Sequence, residues 1–442
     1  MRHPFWFKRH FFPLFWVQFL GAFNDNLFKN ALVMFITFRL ADSPEQAGIL
    51  ITMAAGFFIL PFFLFSAFAG QLADKFEKSL LIRKIKLAEV LIMVLGAIAL
   101  SIPSVEGLLA VLFLMGVQSA FFGPIKYAIL PEHLSEKHLL EGNGWFSAST
   151  FVAILLGTIL GGWGILTESG DQLMAWVLLS VAILGVIASR FVPESTSKDS
   201  TIALQWNLVT NTMQEMRLRK RFPEAFFAVL AISWFWFLGA TYLSQMPLIV
   251  SSVLGGDDQV VLVFLAGFSI GIAIGAWLAH RLQPSVCELS DLLWLGWLLI
   301  GMSVLILMAN AVMVFWTPPN SEPNLELLTA AAFFLQWQAW LIWLALVAIA
   351  AVGGAFSVPL YTLLQVKTAP HFRSRMVAVN NISNALLMVI SALLVLLLYG
   401  LGADVIDLFY VIGLLNLAVA VWYFSHGKGL IKNRKTANEM DD

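Results

Sequence analysis

The sequence predicts an all-α membrane protein of twelve transmembrane helices in two six-helix bundles. Three observations predict it. Of 442 residues, 60% are hydrophobic and 12% charged, about half the charged share of an ordinary soluble domain. The apolar residues arrive in continuous blocks of membrane-crossing length. The basic residues fall in every second gap between those blocks.

A water-soluble chain of this length has no way to hide so much apolar surface, so lipid is the solvent for most of it. A helix needs about 20 residues to cross ~30 Å of hydrocarbon. Blocks of that length run at 12–38, 47–72, 82–102, 107–126, 143–166, 172–192, 224–252, 259–281, 290–315, 333–362, 376–400 and 404–425. They are continuous rather than alternating, which indicates helices and not barrel strands. Arg2, Lys8 and Arg9 precede the first block as they would in a signal peptide. That block is too long for one and has no A-x-A-like cleavage site, so it is read as a helix of the mature protein.

Charge gives the orientation. Every Lys and Arg except Lys29 and Arg39 sits at a terminus, in an even-numbered gap or at the block edge beside one, from Lys75, Lys78, Arg83, Lys84 and Lys86 to Lys367, Arg373 and Arg375. The odd gaps are short and acidic: Asp42, Glu45, Glu106, Glu168, Asp171, Asp257, Asp258, Glu322, Glu326, Asp404 and Asp407. Basic loops stay inside, so both termini are expected in the cytoplasm, and the helix count is even. The longest break divides the chain into an N-terminal bundle (1–192), a cytoplasmic linker (193–222) and a C-terminal bundle (223–442). Two parallel six-helix repeats would give this arrangement. The second part of the linker reads as a helix lying on the membrane face, with basic residues near its end. Pro223 opens the seventh span, where its missing N–H costs nothing.

Ionisable groups inside a span cost about 2.5–3.5 kcal/mol each on insertion scales, so retained ones are functional candidates. The sharpest cluster lies in the first span: Gln18, then Asn24, Asp25, Asn26, Lys29 and Asn30. Asp25 and Lys29 are four apart and share a face, as do Asn26 and Asn30. The pair reads either as a substrate-binding group that opens to a zwitterion or as a structural ion pair. At the end of helix 4, Phe122-Gly123-Pro124-Ile125-Lys126 leaves two readings for Lys126: snorkelling to water, or turning inward to hold a phosphate. Glu89 stands three residues beyond Lys86 and is expected to pair with it. Asn380, Asn381 and Asn384 are expected to hydrogen-bond between helices. The second half offers only uncharged groups, among them Tyr242, Gln245 and Tyr361. A charged first half facing an apolar, aromatic second half across a cavity suits an amphiphile.

Several functions are excluded. No G-x-x-x-x-G-K-[ST] is present for ATP. No H-E-x-x-H or cysteine-pair metal site appears, and Cys287 is the single cysteine. No histidine has an Asp five residues later, as glycerolipid acyltransferases require. The expectation is a transporter rather than an enzyme, without cofactor or metal, driven by an ion gradient or by its substrate's own.

Two resemblances sharpen this. Gly70-Gln71-Leu72-Ala73-Asp74-Lys75 resembles the G-x-L-a-D-R/K signature between helices 2 and 3 of the major facilitator superfamily, with Glu77 where a second Gly is usual. It implies gating roles for Gly70, Asp74 and Lys75. Gly157-Thr158-Ile159-Leu160-Gly161-Gly162 resembles the helix-5 motif of that superfamily's exporters, with Thr158 for Pro, and serves close packing in any membrane helix. Gln18-Phe19-Leu20-Gly21-Ala22-Phe23-Asn24-Asp25-Asn26, Gly123-Pro124-Ile125-Lys126-Tyr127-Ala128-Ile129-Leu130 and Gly142-Asn143-Gly144 together resemble the bacterial lysophospholipid transporter family. That resemblance implies movement of lysophospholipids from the outer to the inner leaflet for reacylation. Asp25 and the neighbouring asparagines would meet the headgroup and Lys126 the phosphate. From the contrast between the halves, and not from the resemblance, helices 7 and 10, with Tyr242, Gln245 and Tyr361, are expected to take the acyl chain. The family's Arg in helix 7 has no counterpart in Thr241–Gln245. The implied partners are the lysophospholipid, membrane lipids and a separate acyltransferase or acyl-ligase; no nucleic acid is implied, and a monomer is expected. The rival reading is a proton-coupled exporter of drugs, siderophores or metabolites, with Asp25 as its protonation site.

Overall fold

The computed structural model describes residues 9–441 apart from 42, 103, 196–198, 200, 284–285, 287 and 317–326. Arg2, His3, Lys8, Asp42, Lys198, Cys287, Glu322 and Glu326 lie outside the described residues, as do the side chains of Glu45, Arg434 and Lys435. Twelve long helices carry the described chain. They are α1 Phe12–Phe35, α2 Pro44–Lys75, α3 Lys78–Ser101, α4 Val105–Ala128, α5 Glu136–Gly164 and α6 Gly170–Arg190. After the linker come α7 Pro223–Leu248, α8 Asp258–Leu282, α9 Leu295–Val314, α10 Trp337–Val366, α11 Arg373–Gly400 and α12 Val405–Asp441. Ten of them, α2 and α4 to α12, are long and apolar enough to cross a membrane. The other two, α1 and α3, have 24 residues each, and they carry the intramembrane charges: Asp25 and Lys29 on one, Lys84, Lys86 and Glu89 on the other.

The helix starts follow local chemistry. Ser43 accepts from the Gln46 N–H and Ser104 from the Gly107 N–H, each satisfying a donor that a first turn leaves open. Glu77 does more. Its carboxylate caps α3 through the N–H groups of Ser79 (2.9 Å) and Leu80 (2.7 Å), and it also takes the Ser195 N–H of the linker at 2.7 Å. The residue that departs from the superfamily signature therefore starts a helix and ties down the linker. Because α3 begins at Lys78 and not at 82, Lys86 lies two turns inside the helix. The expectation that it sits in a cytoplasmic gap is corrected: it is fully buried.

The described chain forms two compact units, Met1–Phe226 with Leu364–Ala385, and Phe227–Leu363 with Leu386–Asp442. In the first, α1 lies along α5 and α6, α2 along α4, and α3 along α6 and α4. Glycines permit the closest approaches. A Cβ on Gly161 would stand 2.2 Å from the Leu27 carbonyl oxygen, and one on Gly157 would stand 2.6 Å from that of Phe23. Packing thus accounts for the helix-5 glycines. In the second unit, α9 lies along α12, and Gly275 and Gly354 bring α8 and α10 into backbone contact.

The linker folds onto the first unit as a helix Leu208–Glu215 and a turn Leu218–Arg221. The segment 364–385 joins the same unit through polar contacts of α10 and α11. Gln365 donates to the Tyr127 carbonyl (2.8 Å) and exchanges bonds with Asn143.

Candidate functional site

The close α1–α5 contact fixes the rotation of α1 about its axis and turns Gly21 and Asn24 toward α3. A Cβ on Gly21 would fall 2.6 Å from the Lys86 ammonium, so glycine is what admits that cation beside α1. Lys86 reaches Glu89 at 2.6 Å, and both side chains are buried. The Glu89 carboxylate also accepts from Asn24 Nδ2 (3.2 Å) and from Gln118 Nε2 of α4 (3.1 Å). A buried ion pair survives desolvation only with added hydrogen bonds of this kind. Next to Gln118, Ser119 donates to Asp25 Oδ2 at 2.6 Å, with Gln118 Oε1 3.2 Å away. One polar network therefore spans α1, α3 and α4.

The expected Asp25–Lys29 ion pair does not form among the described residues. Spacing alone puts the two on one face, but Ser119 supplies Asp25 with a shorter tertiary partner. Lys29 instead lies over the Phe58 ring at 5.7 Å. Asn26 donates to the Ala22 carbonyl (2.8 Å), its own helix backbone. Asn30 donates to the Asn26 carbonyl (2.9 Å) and to Thr158 of α5 (3.0 Å). Lys126 turns toward α1 in the structure. Its ammonium donates to Gln18 Oε1 at 3.3 Å, and Gln18 in turn donates to Thr150 of α5. Asn24, Asp25 and Lys126 thus stand on or against one surface of α1, while Asn26 bonds its own helix backbone and Asn30 bonds across to α5.

Lys86 as a buried cation, Gln118 and Ser119 were missed by the sequence reading. The signal was there: Gln118-Ser119 interrupts an otherwise apolar α4. Asn380 of α11 goes the other way. Asn380 is fully buried, and its carboxamide finds no partner among the described residues; the same is true of Asn381 Nδ2. For Asn380 the expected interhelical bond is not made among the described residues.

At the α2 end, Asp74 caps α11. Its carboxylate takes the N–H groups of Ser374 (3.0 Å) and Arg375 (3.1 Å), in the first turn where donors are open and an anion is favoured. Gly70 makes this approach feasible, since a Cβ there would meet Ala378 Cβ at 2.8 Å. Gln71 donates to Asn211 and Glu215 of the linker helix, each at 2.8 Å, and Lys75 donates to the Ile202 carbonyl at 2.6 Å. Burial pushes the Glu215 carboxyl above the ordinary range, and Arg375, 3.6 Å away, opposes the shift. Asp74→Ala leaves two N–H groups of α11 without an acceptor, at about 1–3 kcal/mol. Hydrogen exchange should then accelerate at Ser374 and Arg375 while the helices elsewhere keep their protection.

The second unit is different in kind. Every buried charged residue among the described ones (Asp74, Lys78, Lys86, Glu89 and Glu215) belongs to the first unit. The buried polar groups of the second are uncharged. Tyr242 packs on Phe268 and Phe409 and lines a small apolar cavity of about 30 Å³ with Met246, Ile306 and Met313. Tyr361 accepts from Trp236 Nε1 at 3.2 Å, and Gln245 accepts from the Tyr399 hydroxyl at 2.6 Å. Tyr242, Gln245 and Tyr361 are not joined to one another by any described bond.

Comparison with known proteins agrees with this architecture. The profile of the Major Facilitator Superfamily matches residues 14–324. The lysophospholipid transporter LplT of Escherichia coli O1:K1 is 31% identical over 356 residues, covering 79% of this chain and 78% of the relative. LplT of Yersinia pestis (strain Pestoides F) is 29% identical over 395 residues, covering 88% and 86%. Among solved structures, the human organic anion transporter MFSD10 superposes with a TM-score of 0.70 at 14% identity, covering 93% of this chain and 99% of its own. The E. coli fucose:proton symporter FucP superposes with a TM-score of 0.68 at 14% identity, covering 94% and 98%. At that identity the structures speak for the fold alone. The fold and the relatives are those of transporters and not of enzymes, and the chain belongs to the Major Facilitator Superfamily and, within it, to the bacterial lysophospholipid transporter family.

Proposed function

We propose that this protein carries lysophospholipids across the bacterial inner membrane, from the outer to the inner leaflet, by alternating access of its two six-helix halves. The observation that carries the reading is the confinement of buried charge to the first unit. A lysophospholipid has a charged headgroup and one hydrocarbon chain, and it needs charge on one wall only. A sugar or amino acid would want polar groups on both.

In this reading Asp25 meets the headgroup ammonium and Lys126 the phosphate. Both are held by neutral partners, Ser119 and Gln18, that a ligand can replace without stranding a counter-charge. Lys86 is already neutralised by Glu89 and serves to set α1 in place. The uncharged, aromatic second unit, with Tyr242, Gln245 and Tyr361, meets the hydrocarbon. Asp74, Gly70 and Lys75 form the gate at the α2 end. Both termini face the cytoplasm, the protein acts as a monomer, and a separate acyltransferase or acyl-ligase consumes the delivered lipid.

Ligand that binds only the folded state raises thermal stability by mass action. Lyso-phosphatidylethanolamine titrated into the purified protein should raise its melting temperature in a saturable way, and the diacyl lipid should do so far less. An equal response to both lipids, or none to either, would count against the substrate class.

A further inference from the structure

The linker helix is built inside out. Asn211 and Glu215, four apart and so on one face, are buried and bonded to Gln71. Val209 and Met213, also four apart, stand on the opposite side and are 66% and 64% exposed. Just before the helix, Trp206 is 75% exposed although its ring lies 5.0 Å from that of Phe68. Water would select the reverse arrangement.

Two further facts say what covers this face. Phe68 belongs to α2, a membrane-crossing helix, seven residues before its end at Lys75. At 1.5 Å per residue that is about 10 Å in from the helix end. The level is that of the headgroup–hydrocarbon boundary, where tryptophan concentrates. Immediately after the helix, Arg217, Arg219, Lys220 and Arg221 are all exposed. Arg221 lies over the Phe372 ring at 4.1 Å. Arg217, Arg219 and Lys220 form no ion pair among the described residues.

We infer that Trp206, Val209 and Met213, with the basic residues Arg217, Arg219 and Lys220, form a docking surface for the anionic lipid surface of the leaflet on the linker side. The apolar side chains enter the headgroup–acyl boundary, and the three cations lie against lipid phosphates. The same helix holds Gln71 and Arg375 from its inner face, so the lipid presses the linker onto the gate. This surface is separate from the substrate site and does not depend on what is transported.

The test uses the full chain with Cys287→Ser and a nitroxide on Met213→Cys, reconstituted in phosphatidylcholine or in mixed phosphatidylcholine–phosphatidylglycerol vesicles. In the mixed vesicles the nitroxide should be reached by oxygen and shielded from a water-soluble nickel chelate. Raising the salt should weaken the shielding. Replacing Arg217, Arg219 and Lys220 by Gln should lower the docking equilibrium roughly fivefold for each charge removed. All these positions are exposed, so folding is not at stake, and a nitroxide on Val209→Cys should repeat the pattern. A label as open to nickel in mixed vesicles as in detergent would overturn the inference, and so would equal shielding with the three charges gone.

Discussion

Glu89→Gln should destabilise the protein by about 3–5 kcal/mol, the usual cost of stranding one member of a buried ion pair. Lys86 has no water to turn to: its side chain is fully enclosed, with the Phe122 ring 5.2 Å from the ammonium on one side and Gly21 on the other. The neutral amide in place of Glu89 still accepts a hydrogen bond but returns no Coulomb energy. Lys86→Met alone should also be costly, because it leaves the carboxylate with only two amide donors, Asn24 and Gln118. The double variant, Lys86→Met with Glu89→Gln, removes both charges and should recover most of the loss. Thermal unfolding of the four proteins in detergent closes the cycle. Single variants within about 1 kcal/mol of the parent would mean that the pair is not what holds α1, α3 and α4 together.

The second large effect is expected at a single methyl group. Gly161→Ala places a Cβ 2.2 Å from the Leu27 carbonyl oxygen and about 3 Å from its carbonyl carbon and Cα. Those are backbone atoms, so no rotamer change relieves the clash, and α1 and α5 must separate. Overpacking of this sort costs typically 1–3 kcal/mol. Gly162→Ala, one residue on, is the control: its new methyl would meet only Met34 Cγ at 3.7 Å, an ordinary contact. It should leave stability within about 0.5 kcal/mol of the parent. The consequence of Gly161→Ala extends beyond stability. Displacing α1 also displaces Asp25 from Ser119, so transport should fall in this variant and persist in the control. Equal behaviour of the two would show that the α1–α5 approach carries no such constraint.

Much of the fold was legible because lipid imposes it. Continuous apolar blocks and the alternation of basic gaps gave the fold class. The charges on α1 and α3 lower their apolarity without hiding their length. What the sequence could not place were contacts made across helices. Lys86 stands close to the edge of an apolar block, and distribution rules cannot tell a loop lysine from one buried two turns inside. Gly21, which admits it, comes from a different helix. The Asp25–Lys29 spacing likewise reports proximity along one helix and is silent about Ser119, 94 residues away. Lys126 was ambiguous until Gln18 was seen to receive it. Asn380 of α11 lacks a partner among the described residues, although polar residues in lipid usually find one.

The central claim is that Asp25 reads a lysophospholipid headgroup. It is tested most directly by uptake of labelled lyso-phosphatidylethanolamine into cells that lack their own transporter and express the wild type or Asp25→Asn. The substitution keeps the shape and a hydrogen bond to Ser119 but removes the charge. The account predicts robust uptake by the wild type and loss of most of it in Asp25→Asn, with both proteins folded and in the membrane. Uptake by the wild type no higher than background, or equal uptake by both, would contradict it.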